Sequence, residues 1–426
     1  MKRKQLYIGI SVLIIILIIA LLGWAIFIGQ QQQRLQQETE DLGYFDSTLS
    51  TPTRDREGGL FNGAFGNILN NNDNVSKSAP DEVVVAKPAL RQLYNLPTAG
   101  FIKKRSNAIR FVDKATGHVF ERDLPDGTTT RIDQTTVPQV QEVLFVNDGD
   151  GVLRRYIGED GSLITIYSNL EDTETQNASL PTQISEITVS PDENEVFFSQ
   201  QTLQGSTFYL SSPDGTEKKE ISASTLRGWN IDWQNDVLLV SQKASSDLPG
   251  SAYLINASTG TKTLVLQQLK GLSAALSPDG KNILYNYNGD GGIPILAVKN
   301  INSGKTTILD IAGFTEKCVW SPNGVSFFCA LPNEFPEGEY PDEWYQGRVL
   351  FSDSLFEIRT DTKQIAHIIS PQAEYGVSLD ITNISVNTDG NALFFINKID
   401  QTLWSITLPE EVEGVVEEES GDEEGI

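Results

Sequence analysis

The chain has 426 residues, with 57 Asp or Glu against 32 Lys or Arg and a formal net charge of −25. So negative a protein is excluded as a nucleic-acid binder, because affinity there comes mainly from Lys and Arg on phosphates. With only two histidines and two cysteines in the whole chain, His/Cys metal clusters are excluded too, and no metal and no cofactor is expected.

The first element in chain order is Leu6 to Ile28, 23 residues without a charge. At 1.5 Å per residue it reaches roughly 34 Å, enough to cross a bilayer core. Tyr7 and Trp24 stand near its ends, and Lys2, Arg3 and Lys4 precede it. The positive-inside rule places residues 1–5 in the cytoplasm and everything after residue 28 outside, with the lipid bilayer as partner of residues 6–28. A cleaved signal peptide is the competing reading, but the apolar run is too long and Gly23-Trp24-Ala25-Ile26 is a poor cleavage site. A five-residue stub holds no domain, so whatever the chain does it does outside the cytoplasm.

Residues 29–80 read as a juxtamembrane helix over Gln30–Glu40 followed by a flexible linker rich in Gly, Asn, Ser and Thr. Residues 81–408 carry the folded part, and residues 409–426, with nine acids and no base, read as a disordered acidic tail.

Within 81–408 one pattern recurs. In Gly271–Asn288, Leu272, Ala274 and Leu276 alternate with small or polar residues. Ser277-Pro278-Asp279-Gly280 then makes a turn, and a second alternating run follows. Proline presets φ, Asp bonds its own backbone and Gly takes positive φ, so this is a hairpin with a physical cause. Clear copies are Ser190-Pro191-Asp192 and Ser321-Pro322-Asn323-Gly324. Weaker ones begin at Asn147, Gln234 and Asn387. The turn starts at 147, 190, 234, 277, 321 and 387 are spaced by 43, 44, 43, 44 and 66 residues. A strand-built period near 43 is the signature of an all-β β-propeller with four strands per blade. Seven blades fit, with six as the alternative, and Pro97–Phe101 is the further inner strand that seven require. A second series of turns at Ser212–Gly215, Ser258–Gly260 and Asn302–Gly304 runs in phase and reads as the third-to-fourth strand turn, with Asp113–Gly117 as its copy in the first blade. The last blade offers three strands, so Val83–Ala86 is expected to complete it.

On these turns the chain resembles the TolB-like, WD-repeat-like propeller families over roughly residues 95–408. The Trp-Asp dipeptide that ends eukaryotic-type repeats is absent, which favours the TolB-like side. The resemblance implies a propeller and a binding or scaffolding role outside the cytoplasm, and it leaves the ligand open.

Chemistry is sparse. His118 and His367 sit in alternating strand contexts, and no Gly-x-Ser-x-Gly elbow is present. Carboxylate pairs of the glycosidase kind keep a carbohydrate-active propeller hydrolase as the alternative function. The acidic turns Asn147–Gly151 and Asn288–Gly292 lack calcium-loop spacing. Cys318 and Cys329 flank one hairpin turn, where one register sets them face to face. A disulfide and two buried thiols are both open readings.

The 66-residue interval holds Pro332–Arg348, PNEFPEGEYPDEWYQGR. If it joins second to third strand it emerges opposite the Ser-Pro-Asp-Gly turns. Phe335, Tyr340, Asp342, Glu343, Trp344 and Tyr345 are the candidate binding residues, since aromatic planes beside carboxylates suit sugars, cations or peptides. The competing reading is a loop that folds its own aromatics over the blade. The function that follows is a membrane-anchored extracytoplasmic module that binds or scaffolds protein or cell-envelope glycan, without enzymatic activity. A stalked structural module is a third reading.

Overall fold

The computed structural model describes residues 87–171 and 177–408. They form seven four-stranded antiparallel sheets. Blade 1 runs from Thr98–Lys103 to Thr129–Asp133, blade 2 from Val140–Val146 to Ala178–Ser179, and blade 3 from Ile184–Val189 to Lys219–Ser224. Blade 4 runs from Trp229–Gln234 to Lys262–Leu269, blade 5 from Ser273–Leu276 to Thr306–Ala312, and blade 6 from Cys318–Trp320 to Ile365–Ile369. In blade 7, Ile381–Val386, Ala392–Asn397 and Leu403–Thr407 are completed by Ala89–Tyr94, which pairs Ala89 with Thr407 and Leu90 with Ile406.

Apolar side chains that alternate along each strand meet those of the next blade. Val112 and Val119 pack against Val143 and Val152 between blades 1 and 2. Phe197 and Phe208 meet Trp229 and Leu238 between blades 3 and 4. Phe328 and Leu355 meet Ile381 and Phe395 between blades 6 and 7. Leu93, Phe394 and Leu403 close on Ile109 and Phe111 of blade 1, so the ring is complete at seven.

The recurring serine has a structural cause. Ser277 Oγ donates to Asp279 Oδ1 at 2.6 Å and accepts from Asn282 N at 2.9 Å, while Gly280 sits at φ 68°. Ser190 repeats this with Asp192 and Glu195, and Ser321 with Asn323 and Ser326. A hydroxyl that satisfies both the turn acid and the first amide of the returning strand fixes the hairpin register.

Two sequence expectations need correcting. Asp113–Gly117 joins the second and third strands of blade 1, Ala108–Asp113 and Val119–Asp123, rather than the third and fourth. Asp113 Oδ1 accepts from the amide and hydroxyl of Thr116, turn chemistry that closes any pair of strands. The strand that completes blade 7 is Ala89–Tyr94, whereas Val83–Ala86 lies outside the described residues. Leu90 packs against the cluster between blades 6 and 7 and Leu93 reaches the one between blades 7 and 1, with a register shift between Gln92 and Tyr94.

Cys318 and Cys329 are directly opposite in the first hairpin of blade 6 and are disulfide-bonded. Among the described residues no helix is long and apolar enough to cross a membrane. Residues 6–28, the linker and the acidic tail lie outside them.

Candidate binding face

A four-stranded meander sorts its connections. First-to-second and third-to-fourth turns lie at one end of every blade, and second-to-third turns with the blade-to-blade connections lie at the other. Twelve large hydrophobic side chains are exposed among the described residues. Eight fall at the second end: Leu96, Leu203, Leu226, Leu248, Tyr345, Leu350, Tyr375 and Ile399. Ile132, Leu264 and Ile308 lie on outermost strands, leaving Val325 alone at the first end. Single exposed apolar residues are ordinary, but here their distribution is one-sided.

The long insertion crosses this face. Residues 333–352 leave the second strand of blade 6, Ser326–Pro332, and return into the third, Asp353–Arg359. Asp342–Tyr345 forms one helical turn, α1. Asp342 Oδ2 accepts from the amide and hydroxyl of Ser246 in blade 4, at 2.8 and 2.5 Å. Asn288 Nδ2 of blade 5 donates to Tyr340 O at 2.7 Å, and Lys398 Nζ of blade 7 donates to Trp344 O. The insertion is therefore a strap rooted in blade 6 and tied to blades 4, 5 and 7.

Its aromatics point inward. Tyr340 and Trp344 are buried with Phe314, Val349 and Phe351, and Phe335 packs half-buried against them. Trp344 stacks on Phe314 with ring centroids 4.8 Å apart. Tyr345 alone stays exposed, at 41%, with its hydroxyl donating to Glu316 Oε1 at 2.5 Å. Glu343 is half-buried beside Arg348. The six sequence-predicted residues thus lie together in one strap, with most of the aromatic planes turned to the propeller.

Beneath the strap lies an ionic cluster. Lys317, Asp353 and Asp380 are each 0% exposed, and Lys317 Nζ stands 2.6 Å from Asp353 Oδ2 and 2.5 Å from Asp380 Oδ1. Trp344 Nε1 donates to both oxygens of Asp380, at 3.2 and 3.1 Å, and Phe351 N donates to Oδ2 at 3.1 Å. Ile381 N donates to Asp353 Oδ2 at 2.7 Å, which leaves Asp353 Oδ1 without a hydrogen bond. Lys317 Nζ also lies 5.1 Å from the Trp344 ring centroid. Sequence reasoning missed these three charges and Phe314 and Phe351. The available signal was a charge set inside an apolar run, as in Leu379-Asp380-Ile381.

Burial pushes the Asp353 carboxyl up to about 6, with Asp380 adding to the rise and Lys317 opposing it. Burial also raises Glu316, Glu186 and Asp232. An acid raised on folding binds its proton more tightly in the native state, so stability falls as pH climbs from the unfolded value towards the folded one. For Asp353 that window is about pH 4 to 6. Asp192, held low chiefly by the Ser190 hydroxyl, and Asp214, held low chiefly by the Thr216 hydroxyl, act oppositely and lose their contribution as pH falls. The midpoint of thermal unfolding is therefore expected to be higher near pH 5 than near pH 7.5, and to fall again below about pH 4. A melting series followed by circular dichroism checks this, and a midpoint that rises from near pH 5 to near pH 7.5 contradicts it.

Of the two histidines, His118 Nε2 lies 3.2 Å from Thr136 Oγ1. His367 Nε2 lies 2.8 Å from Ser370 Oγ, but its ring meets the edge of Phe356 rather than an acid. Asp150 is occupied by Lys104 and Arg110.

Fold and face together define the class: a seven-bladed β-propeller whose one loop face is strapped and apolar-studded. No protein-family model matches the chain, and no curated protein matches it. Among solved structures it is similar to Kuenenia stuttgartiensis hydrazine synthase, with 11% identity, a TM-score of 0.52, and coverage of 78% of this chain and 99% of that one. At that identity the likeness speaks to fold alone. TolB from Acinetobacter baumannii is similar at 15% identity, over 63% of this chain and 65% of that one, and its TM-score of 0.41 is too low to argue from.

Proposed function

We propose that the chain is a membrane-anchored, extracytoplasmic binding or scaffolding module that holds a macromolecule, protein or cell-envelope glycan, on its strapped loop face. The observation that carries this reading is the one-sided placement of exposed apolar side chains, eight of twelve at the strap end. Rigid blades with a pinned strap suit recognition, since a preorganised surface loses little freedom on binding. The Cys318–Cys329 bridge suits an oxidising compartment, in line with an anchor at residues 6–28 and an outside location. The Ser-Pro-Asp turns at 190 and 277 and the Ser-Pro-Asn turn at 321 support a TolB-like, WD-repeat-like affinity in repeat design. Binding is preferred over carbohydrate hydrolysis because Asp353 and Asp380, the carboxylates that Lys317 draws together, are 0% exposed and out of a sugar's reach.

The test places photo-crosslinking residues at Leu203, Leu248 and Tyr375 on the strap face and at Val325 and Asp279 on the opposite turns, in the full chain in native membranes. One discrete adduct from the strap-face positions, absent from the opposite turns, is expected. Equal adducts from both ends, or none from the strap face, would overturn the assignment.

A further inference from the structure

We infer that the strap and blade 7 form a seat for a cationic amphipathic segment of a protein partner, one whose Lys or Arg side chains alternate with apolar ones. This inference rests on the strap-face reading above and names the partner's chemistry. Between strap and blade 7 lies a cleft of about 290 Å³. Buried Phe351, exposed Leu350 and Ile399, and Pro336 are among the residues that line it. Glu334 lies exposed on the rim.

Of the residues that line the cleft, Glu334 alone carries a charge, and the nearby Lys398 is turned to Trp344, donating to its carbonyl oxygen. The strap holds Glu334, Glu337, Glu339, Asp342 and Glu343 against a single base, Arg348, which leans 4.0 Å from Glu343. The acid on the rim therefore has no cation from the strap to balance it. Ser352 Oγ, in the cleft lining, is buried without a hydrogen-bond partner. An alkyl stem with a cationic head fits this set, its methylenes against Leu350, Ile399 and Phe351 and its charge at Glu334. The acidic segment 409–426 of the same chain is repelled from this rim, because it carries nine acids and no base. Charge complementarity thus selects a basic occupant from outside.

The experiment measures fluorescence anisotropy of labelled short peptides with the full chain in lipid nanodiscs of neutral headgroup. The peptides alternate Lys with Leu, Glu with Leu, and Lys with Ser. The Lys/Leu peptide is expected to bind best and to weaken as salt rises. Glu334→Lys should weaken it about tenfold, while Asp279→Lys on the opposite turns leaves it unchanged. Leu350→Ser should weaken it similarly by removing one wall.

Equal binding of the Glu/Leu peptide, or indifference to Glu334→Lys, overturns the cationic assignment. If those variants leave peptide binding unchanged while crosslinks still form only at the strap face, the face stands and this seat falls. If crosslinks fail as well, both readings fall.

Discussion

Replacing Lys317 with Met is expected to lower the free energy of unfolding by about 3–5 kcal/mol at neutral pH, the cost of leaving buried charges without their partner. The substitution keeps the apolar stem and removes only the ammonium group. Asp353 and Asp380, both 0% exposed and 2.6 and 2.5 Å from that group, then face each other uncompensated. Asp380 retains the Trp344 indole and the Phe351 amide, whereas Asp353 retains little beyond Ile381 N. The loss should shrink near pH 5, because Asp353 already takes up a proton at about 6. Restoring neutrality with Asp353→Asn and Asp380→Asn in the same chain should recover most of the stability. Urea unfolding at both pH values reads all three variants. A cost below about 1 kcal/mol at neutral pH would mean that water reaches the cluster and the burial is wrong.

Trp344→Ala should produce the second large effect, about 3–5 kcal/mol for an aromatic truncated in a packed core. The side chain stacks on Phe314, donates to Asp380 and lies 4.3 Å below Lys398 Nζ. Its loss falls on the strap first, since the blades keep their own interfaces. Limited chymotrypsin digestion is expected to cut within residues 333–352 much faster than in wild type, with the ring otherwise intact. Trp344→Phe keeps the stack and loses the indole donor, so it should sit between the two. Because Lys317 and Trp344 share Asp380, the double variant should cost less than the sum. A strap no more cleavable in Trp344→Ala than in wild type would show that Asp342 and Tyr340 hold it without the indole.

Much of the ring was legible because its hairpins are specified locally. Ser277, Asp279 and Gly280 satisfy one another within four residues, so spacing alone gave six turns and the place of the insertion. What stayed illegible depends on distance in space. The sequence Asp113–Gly117 says that the chain turns but not which strands it joins. Ala89–Tyr94 shows its partner only at Leu403–Thr407, more than three hundred residues away. The strap's aromatics and acids read alike whether the loop opens to solvent or folds down on Phe314. The ionic cluster joins positions 36 and 63 residues apart, beyond any periodicity.

Blade 7 also fixes how the ring responds to tension. Its outer strand enters at Ala89 opposite Thr407, the last residue of the neighbouring strand. Both chain ends therefore leave the ring at the same rung of one ladder. A pull on the two ends opens that ladder like a zipper, one pair at a time from Ala89–Thr407 towards Tyr94–Leu403, instead of shearing all its hydrogen bonds together. Shear geometry would share the load across the strand; peeling concentrates it on a single rung. This seam is where a force transmitted along the backbone first breaks the circle, while the other six blades carry none of it.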